Sequence, residues 1–483
     1  PRAAHEESGA PQARLDRPAT DSRRPLTHRY MIGTTLVGSA ALALLGVLPL
    51  SAGFAALGAL LMFASMLQQA VVDLLVEGEY AKKMAAKPET GPDLVTWVWA
   101  NYQSAQLLAA CLVGTLADAF NPRVIFLVAV PFAAQILAPL FRGFLGEERR
   151  PPGDRGPRFN LVRQHKGVFS LALLMGLGAL GLGVVNLLGT NFQRLAYSLA
   201  SSAILNALAY WLMDVRMAKA NTYLFLTQST YLLIPGAIDY FYTALPAAGC
   251  AADAKCAASG CYVNDGPHFS STYYLTVSQI LASLAGYVGV TLFQTFLSTW
   301  YFRPVFWVTT LVRTAGAVFD VLIVARLNVA AGIPDKLAYL LGSTIIYNVV
   351  YMMDFMPAVV LTTRLCPKDL EAVIYALLAG FQNFGQQVSR TIGLVLISSR
   401  SYGVRTDMDG GECDFDNLPW LIAVCHMLVP LITIPLTFVL IPRARLDERL
   451  LADPAPKPSP ASVLYEDESE RLTGGTPTSD AGT

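Results

Sequence analysis

Charge is what this chain has least of. Asp, Glu, Lys and Arg make up 14% of its 483 residues while 54% are hydrophobic, whereas an ordinary soluble domain carries about 25% charged residues. Basic and acidic residues number 35 each, so the formal net charge is zero and there is no basic footprint for nucleic acid. Histidine occurs only five times, and no H-E-x-x-H, G-x-S-x-G or P-loop pattern is present. Gly176-Leu-Gly178-Ala-Leu-Gly181 matches G-x-G-x-x-G, but it lies inside an apolar run with no preceding strand. Small residues there serve close helix packing. No cofactor, no metal and no enzymatic activity are expected. An initiator methionine and a signal-peptide pattern are also missing, so the chain reads as processed or truncated.

What the chain does have is long apolar runs. Twelve are long enough to span a bilayer: 30–50, 54–78, 97–119, 123–145, 167–189, 195–213, 223–243, 271–297, 304–327, 337–362, 369–397 and 418–441. The loops between them alternate in charge. Arg23, Arg24 and Arg29 precede the first run, and Lys82, Lys83 and Lys87 follow the second. Six basic residues between Arg149 and Lys166 follow the fourth, and Arg216, Arg303, Arg364 and Arg443 continue on the same side. The positive-inside rule puts these loops and both termini in the cytosol. The expected organisation is a polar segment 1–29, a four-span bundle 30–145 and a Pro- and Arg-rich cytosolic linker 146–166. A helix pair 167–213, a six-span bundle 214–442 and an acidic, Pro- and Ser-rich tail 443–483 follow.

The few charges inside the apolar runs are the most informative residues, because each costs about 2.5–3.5 kcal/mol at mid-bilayer. They are Asp73 and Glu77, four apart on one face; Asp239, in I-D-Y-F-Y-T beside Tyr242; Arg313 and Asp320, seven apart and so two turns up one face; Asp354; and Arg390. Asn383, Gln386 or Gln387, and Arg390 recur at helical spacing in the run 369–397, so they form one polar face. Such residues either pair to hold helices together or line a transport pathway. Asp239 and Arg390 lie at comparable depth along two segments that both rise from the cytosol, so an Asp239–Arg390 pair, or a ligand shared between them, is expected.

Cys250, Cys256, Cys261 and Cys413 fall in loops expected outside, where disulfides form; their spacing is not that of a zinc site. Cys111, Cys366 and Cys425 read as small hydrophobes. Trp97, Trp99, Trp300, Trp307 and Trp420 stand near segment ends and read as an interfacial belt.

The stretch C-P-K-D-L-E-A-V-I-Y-A-L-L-A-G-F-Q-N-F-G-Q-Q-V-S (366–389) resembles the C-terminal signature of the folate–biopterin transporters. So do P-G-A-I-D-Y-F-Y-T (235–243), V-V-D-L-L-V-E-G-E-Y-A (71–81) and R-R-P-L-T-H-R-Y (23–30). The resemblance implies an all-α polytopic membrane protein of the major-facilitator type, two helical bundles with twelve spans visible. The family's first two helices are then missing, and the pair 167–213 is extra, as in the protozoan, kinetoplastid-like branch. It further implies secondary active transport of folate or a pterin, coupled to protons, at the plasma membrane, with S-adenosylmethionine or another nucleoside-like solute as the alternative cargo. Asp73, Glu77, Asp239, Tyr242, Arg313, Asp320, Asp354, Asn383 and Arg390 are the expected substrate-binding or coupling residues. A membrane receptor that binds without moving its ligand is the competing class.

Overall fold

The computed structural model of the chain describes residues 26–48, 55–87, 90–119, 123–143, 159–234, 236–252, 261–270, 272–366, 370–399, 403–405, 412–448 and 450. Among these residues the regular structure is helical, with only isolated β-bridges besides. Among the described residues, nine helices are long and apolar enough to cross a membrane: His28–Val47, Leu57–Ala81, Arg123–Phe141, Lys166–Leu188, Asn191–Leu212, Thr272–Leu297, Phe302–Val324, Asp335–Arg364 and Leu418–Leu440. They correspond to nine of the twelve expected runs.

The other three runs are helical but depart from that pattern for visible reasons. Gly91–Ala119 carries Asn101, Gln103 and Gln106, and Glu371–Ile397 carries Gln382, Asn383, Gln386, Gln387 and Arg390. These side chains dilute the apolarity without breaking the helix. The run 223–243 is broken in two, Val215–Thr230 and Ala237–Thr243. Pro235 supplies no N–H for a continuing helix, and Gly236 sits at φ 83°, a left-handed conformation that glycine adopts without strain. The backbone groups freed by the break find partners on other helices. Leu232 N–H donates to the Cys425 carbonyl at 3.3 Å, and Leu233 N–H to Ser389 Oγ at 2.9 Å. Ser389 Oγ in turn donates to the Tyr231 carbonyl.

The chain divides into two compact units. The smaller comprises 1–72 and 126–157; in it His28 bonds the Leu140 carbonyl at 2.9 Å and Gln68 donates to the Ala133 carbonyl. The larger comprises 73–125 and 158–483. Its main apolar cluster is built on Tyr223, Phe293, Phe306, Val360, Leu377 and Phe381, all almost inaccessible. Helices Lys166–Leu188 and Asn191–Leu212 pack on each other and on Glu371–Ile397, joined to it by Asn186–Thr391 and Asn191–Ser398 hydrogen bonds at 3.2 and 2.8 Å. Leu187 and Trp211 on their outward sides are over 80% exposed, as suits contact with lipid tails. Four stretches among the described residues are π-helical: Thr272–Val277, Phe293–Leu297, Leu340–Ile346 and Ala423–Leu428.

A second apolar cluster holds Tyr242, Phe269, Tyr339 and Phe415, and beside them a disulfide joins Cys261 to Cys413. Of the four outer cysteines, this pair is the one described; Cys256 and the side chain of Cys250 lie outside the described residues. The bridge closes a separation of 152 residues. Cross-links of this kind typically stabilise by about 2–4 kcal/mol. Cys261→Ser with Cys413→Ser should therefore lower the melting temperature of the purified protein by several degrees, and an unchanged melting curve would show the bridge to be dispensable.

Candidate ligand chamber

Three helices of the larger unit each turn one face toward a common cavity. Gly91–Ala119 contributes Trp99, Tyr102, Gln103 and Gln106; Tyr347–Arg364 contributes Asn348, Tyr351, Met352 and Phe355. Both sets follow the i, i+3, i+4, i+7 spacing that places residues on one side of a helix. Ser278–Leu292 adds Gln279 and Ala282. The cavity measures about 310 Å³. A second lobe of about 240 Å³ shares Gln279, Ala282 and Asn348 with the first and adds Tyr274, Ser278, Tyr339, Ser343 and Thr344. Tyr274 comes from the π segment Thr272–Val277, and Ser343 and Thr344 from the π segment Leu340–Ile346. A π turn redirects side chains that a continuous α-helix would point elsewhere.

The wall of both lobes is polar but uncharged. Four amides, Gln103, Gln106, Gln279 and Asn348, supply both donors and acceptors. Gln103 is buried and fits against Gly286, where a Cβ would lie 2.8 Å from its amide. Aromatic rings supply the flat surface. Tyr347, Tyr351 and Phe355 stack in succession at 6.1 and 6.0 Å, and Trp99 meets Phe355 edge-on at 4.5 Å. Trp99 is thus a chamber residue, not a belt residue. An uncharged, planar ligand with hydrogen-bonding edges is what this lining complements.

Most of the expected charged residues stand behind that wall. Arg313 is paired with Asp354, Nη1 to Oδ2 at 3.3 Å, and Thr309 donates to the same carboxylate at 2.7 Å. The Arg313 guanidinium lies 3.7 Å over the Tyr231 ring, which stacks against His426 at 4.5 Å. Asp320 accepts from Tyr242 at 2.9 Å and from Ser343. Asp239 is exposed and accepts from Tyr274. Asp239 and Asp320 therefore each reach the second lobe through one lining hydroxyl. Arg313 and Asp320, expected on a shared face, are separated by the helix interruption at Ala317 and bond different partners.

The remaining expected residues lie elsewhere. Glu77 accepts from Tyr80 and Tyr375 at 3.2 and 3.0 Å, and Asp73 is exposed. Asn383 and Arg390 are exposed on Glu371–Ile397 and line neither lobe. Of the expected site residues, Arg313 pairs with Asp354, and Asp239 and Arg390 do not pair with each other. Reading the sequence by its charges missed the amides of the chamber. The signal was there, in Gln103 and Gln106 at helical spacing inside 97–119 and in Gln279 and Asn348 inside the apolar runs 271–297 and 337–362.

A model of the BT1 family matches residues 23–456. The chain is similar to the folate-biopterin transporter of Synechocystis sp., 34% identical over 155 residues, which are 32% of this chain and 30% of that protein. It is similar to "Probable folate-biopterin transporter 5" of Arabidopsis thaliana, 28% identical over 257 residues, 53% of this chain and 44% of the other. With folate transporter 1 of Plasmodium falciparum it shares 25% identity over 143 residues, 30% of this chain and 26% of the relative. The chain thus spans between a quarter and a half of the length of these curated relatives. With a family model covering most of its length, the chain belongs to the BT1 family, one of folate–biopterin transporters and not of enzymes.

Proposed function

We propose that this chain carries folate or a pterin such as biopterin across a membrane, with the chamber as the site for the ring. The observation that carries this reading is the lining itself. A pterin presents a flat ring whose edge alternates donors and acceptors; amides such as Gln279 and Asn348 pair with such edges, and stacked rings cover the face. The glutamate tail of folate suits the planar fork of an arginine, and the exposed Arg390, with Asn383 on the same face, is the candidate for it. Asp239 and Asp320, each one hydroxyl away from the second lobe, are assigned to proton coupling. Arg313 with Asp354, Tyr242 with Asp320, and Glu77 with Tyr375 hold helices in register during the transport cycle, and Asp73, exposed one turn from Glu77, is a further coupling residue.

The wider architecture in this proposal is a major-facilitator arrangement of twelve spans. Two bundles, 30–145 and 214–442, are divided at the linker 146–166 and alternate access to the site, with both termini cytosolic and the plasma membrane as location. Tags after residue 150 and at the C-terminus should then be reachable only from the cytosol, and a tag within 250–262 only from outside. An external C-terminus would overturn this topology. The second reading, S-adenosylmethionine, draws on the same aromatic rings, which attract a sulfonium cation. Uptake of labelled folate, biopterin and S-adenosylmethionine by cells expressing the full-length protein decides between them. Saturable binding without uptake of any would favour a receptor.

A further inference from the structure

The second lobe of the chamber differs from the first in chemistry. Five of its eight lining residues carry a hydroxyl: Tyr274, Ser278, Tyr339, Ser343 and Thr344. A hydroxyl has one proton to give and two lone pairs to offer, so what it presents to a ligand depends on where its proton already goes. Three of the five direct theirs into the protein. Tyr274 donates to Oδ1 of Asp239, Ser343 to Oδ1 of Asp320, and Ser278 to the Tyr274 carbonyl. Asp320 Oδ1 is held in place by a further bond from Tyr242 at 2.9 Å. Asn348 donates from Nδ2 to the Thr344 carbonyl at 2.8 Å, which settles the sense of that amide and leaves Oδ1 as its other end. With these protons committed to the wall, lone pairs are what remains for a ligand. Tyr339 and Thr344 stand in the same wall and can give or take.

We infer that the second lobe is a subsite for a neutral, hydroxyl-bearing side chain on the ligand's ring, and that it turns an anionic tail away. With the flat ring against the aromatic face of the first lobe, a substituent passes Gln279, Ala282 and Asn348, which both lobes share, and enters the second. Hydroxyls on that substituent find acceptors for their protons in Tyr274, Ser278, Ser343 and Asn348. A carboxylate can only accept. It would set lone pairs against lone pairs, with Asp239 and Asp320 each one hydroxyl behind the wall, and no lysine or arginine lines the lobe to offset them. A repulsive element of this kind is how a site distinguishes ligands that share a ring. The two acids keep their coupling role. In both, the hydroxyl bond falls on Oδ1, so a proton taken up on Oδ2 leaves it in place.

The inference rests on the pterin reading of the chamber, so its test uses three ligands with one ring. Biopterin carries a side-chain diol where 6-methylpterin has a methyl group and pterin-6-carboxylate an anion. Binding of each to the purified full-length protein is followed by ligand fluorescence at one neutral pH. Wild type is expected to hold biopterin about 10-fold more tightly than 6-methylpterin, the value of one hydrogen bond, and pterin-6-carboxylate about 10-fold more weakly again. Ser343→Ala should cost biopterin most of that advantage and leave 6-methylpterin unchanged. Asp320→Asn, which removes a charge behind the wall, should narrow the gap between biopterin and the carboxylate by about 10-fold. Tyr274→Phe, at the other carboxylate, repeats the test should Ser343→Ala lose 6-methylpterin as well. Equal wild-type affinity for all three ligands would overturn the subsite and leave the pterin reading standing. So would variants that keep the wild-type selectivity. Binding of none of the three would remove the pterin reading, and the inference with it.

Discussion

Arg313→Ala is expected to destabilise the protein more than any other single truncation of a charged side chain described above. The side chains of Arg313 and Asp354 are 9% and 14% exposed. Removing the guanidinium leaves the Asp354 carboxylate buried, with Thr309 as its remaining hydrogen-bond donor. Stranding one member of a buried pair costs about 3–5 kcal/mol. Surface expression should fall, and the purified variant should melt well below wild type. Arg313→Gln with Asp354→Asn should recover most of the loss, since both charges are then gone and the two amides can bond each other. Arg313→Lys should fall between, because an ammonium lacks the flat face that lies over Tyr231. An Arg313→Ala variant with wild-type expression and melting would show that the pair holds nothing together.

The largest effect on ligand binding is expected from Ala282→Phe. Ala282 lines both lobes, so an aromatic ring built there projects into the shared part of the chamber. The added side chain enters existing space instead of a packed core, so melting should stay near that of wild type. Biopterin affinity should fall by ~100-fold or more, equivalent to about 2.7 kcal/mol. Gln279→Leu is the milder companion: it removes one amide from the wall and should cost ~10-fold, the value of one hydrogen bond to a ligand. Wild-type binding by Ala282→Phe would move the ligand site out of this chamber.

Where the sequence spoke through long apolar runs, it was legible to within a few residues. The run 167–189 is the helix Lys166–Leu188, and 418–441 is Leu418–Leu440. Length and apolarity alone determine such elements, because an unpaired backbone cannot lie in lipid. Partner choice was not legible. Seven-residue spacing put Arg313 and Asp320 on one face, but the helix is interrupted at Ala317, and each found a partner on a different helix. Nor did spacing show that Cys413 reaches across the chain to Cys261, since four cysteines in two loops permit several pairings. The chamber was readable in principle, but only by treating amides as seriously as charges.

The π-helical segments change how three of the long helices meet their surroundings. Each π turn inserts one residue into the circuit, and one residue is about 100° of rotation in an α-helix. Thr272–Leu297, Asp335–Arg364 and Leu418–Leu440 all contain such a turn, so no straight stripe can be drawn along them. A side that looks onto the chamber at one end points around the barrel of the helix at the other. An accessibility scan by single cysteines would show a phase slip within each of these segments, while Lys166–Leu188, an uninterrupted α-helix, would keep one phase from end to end.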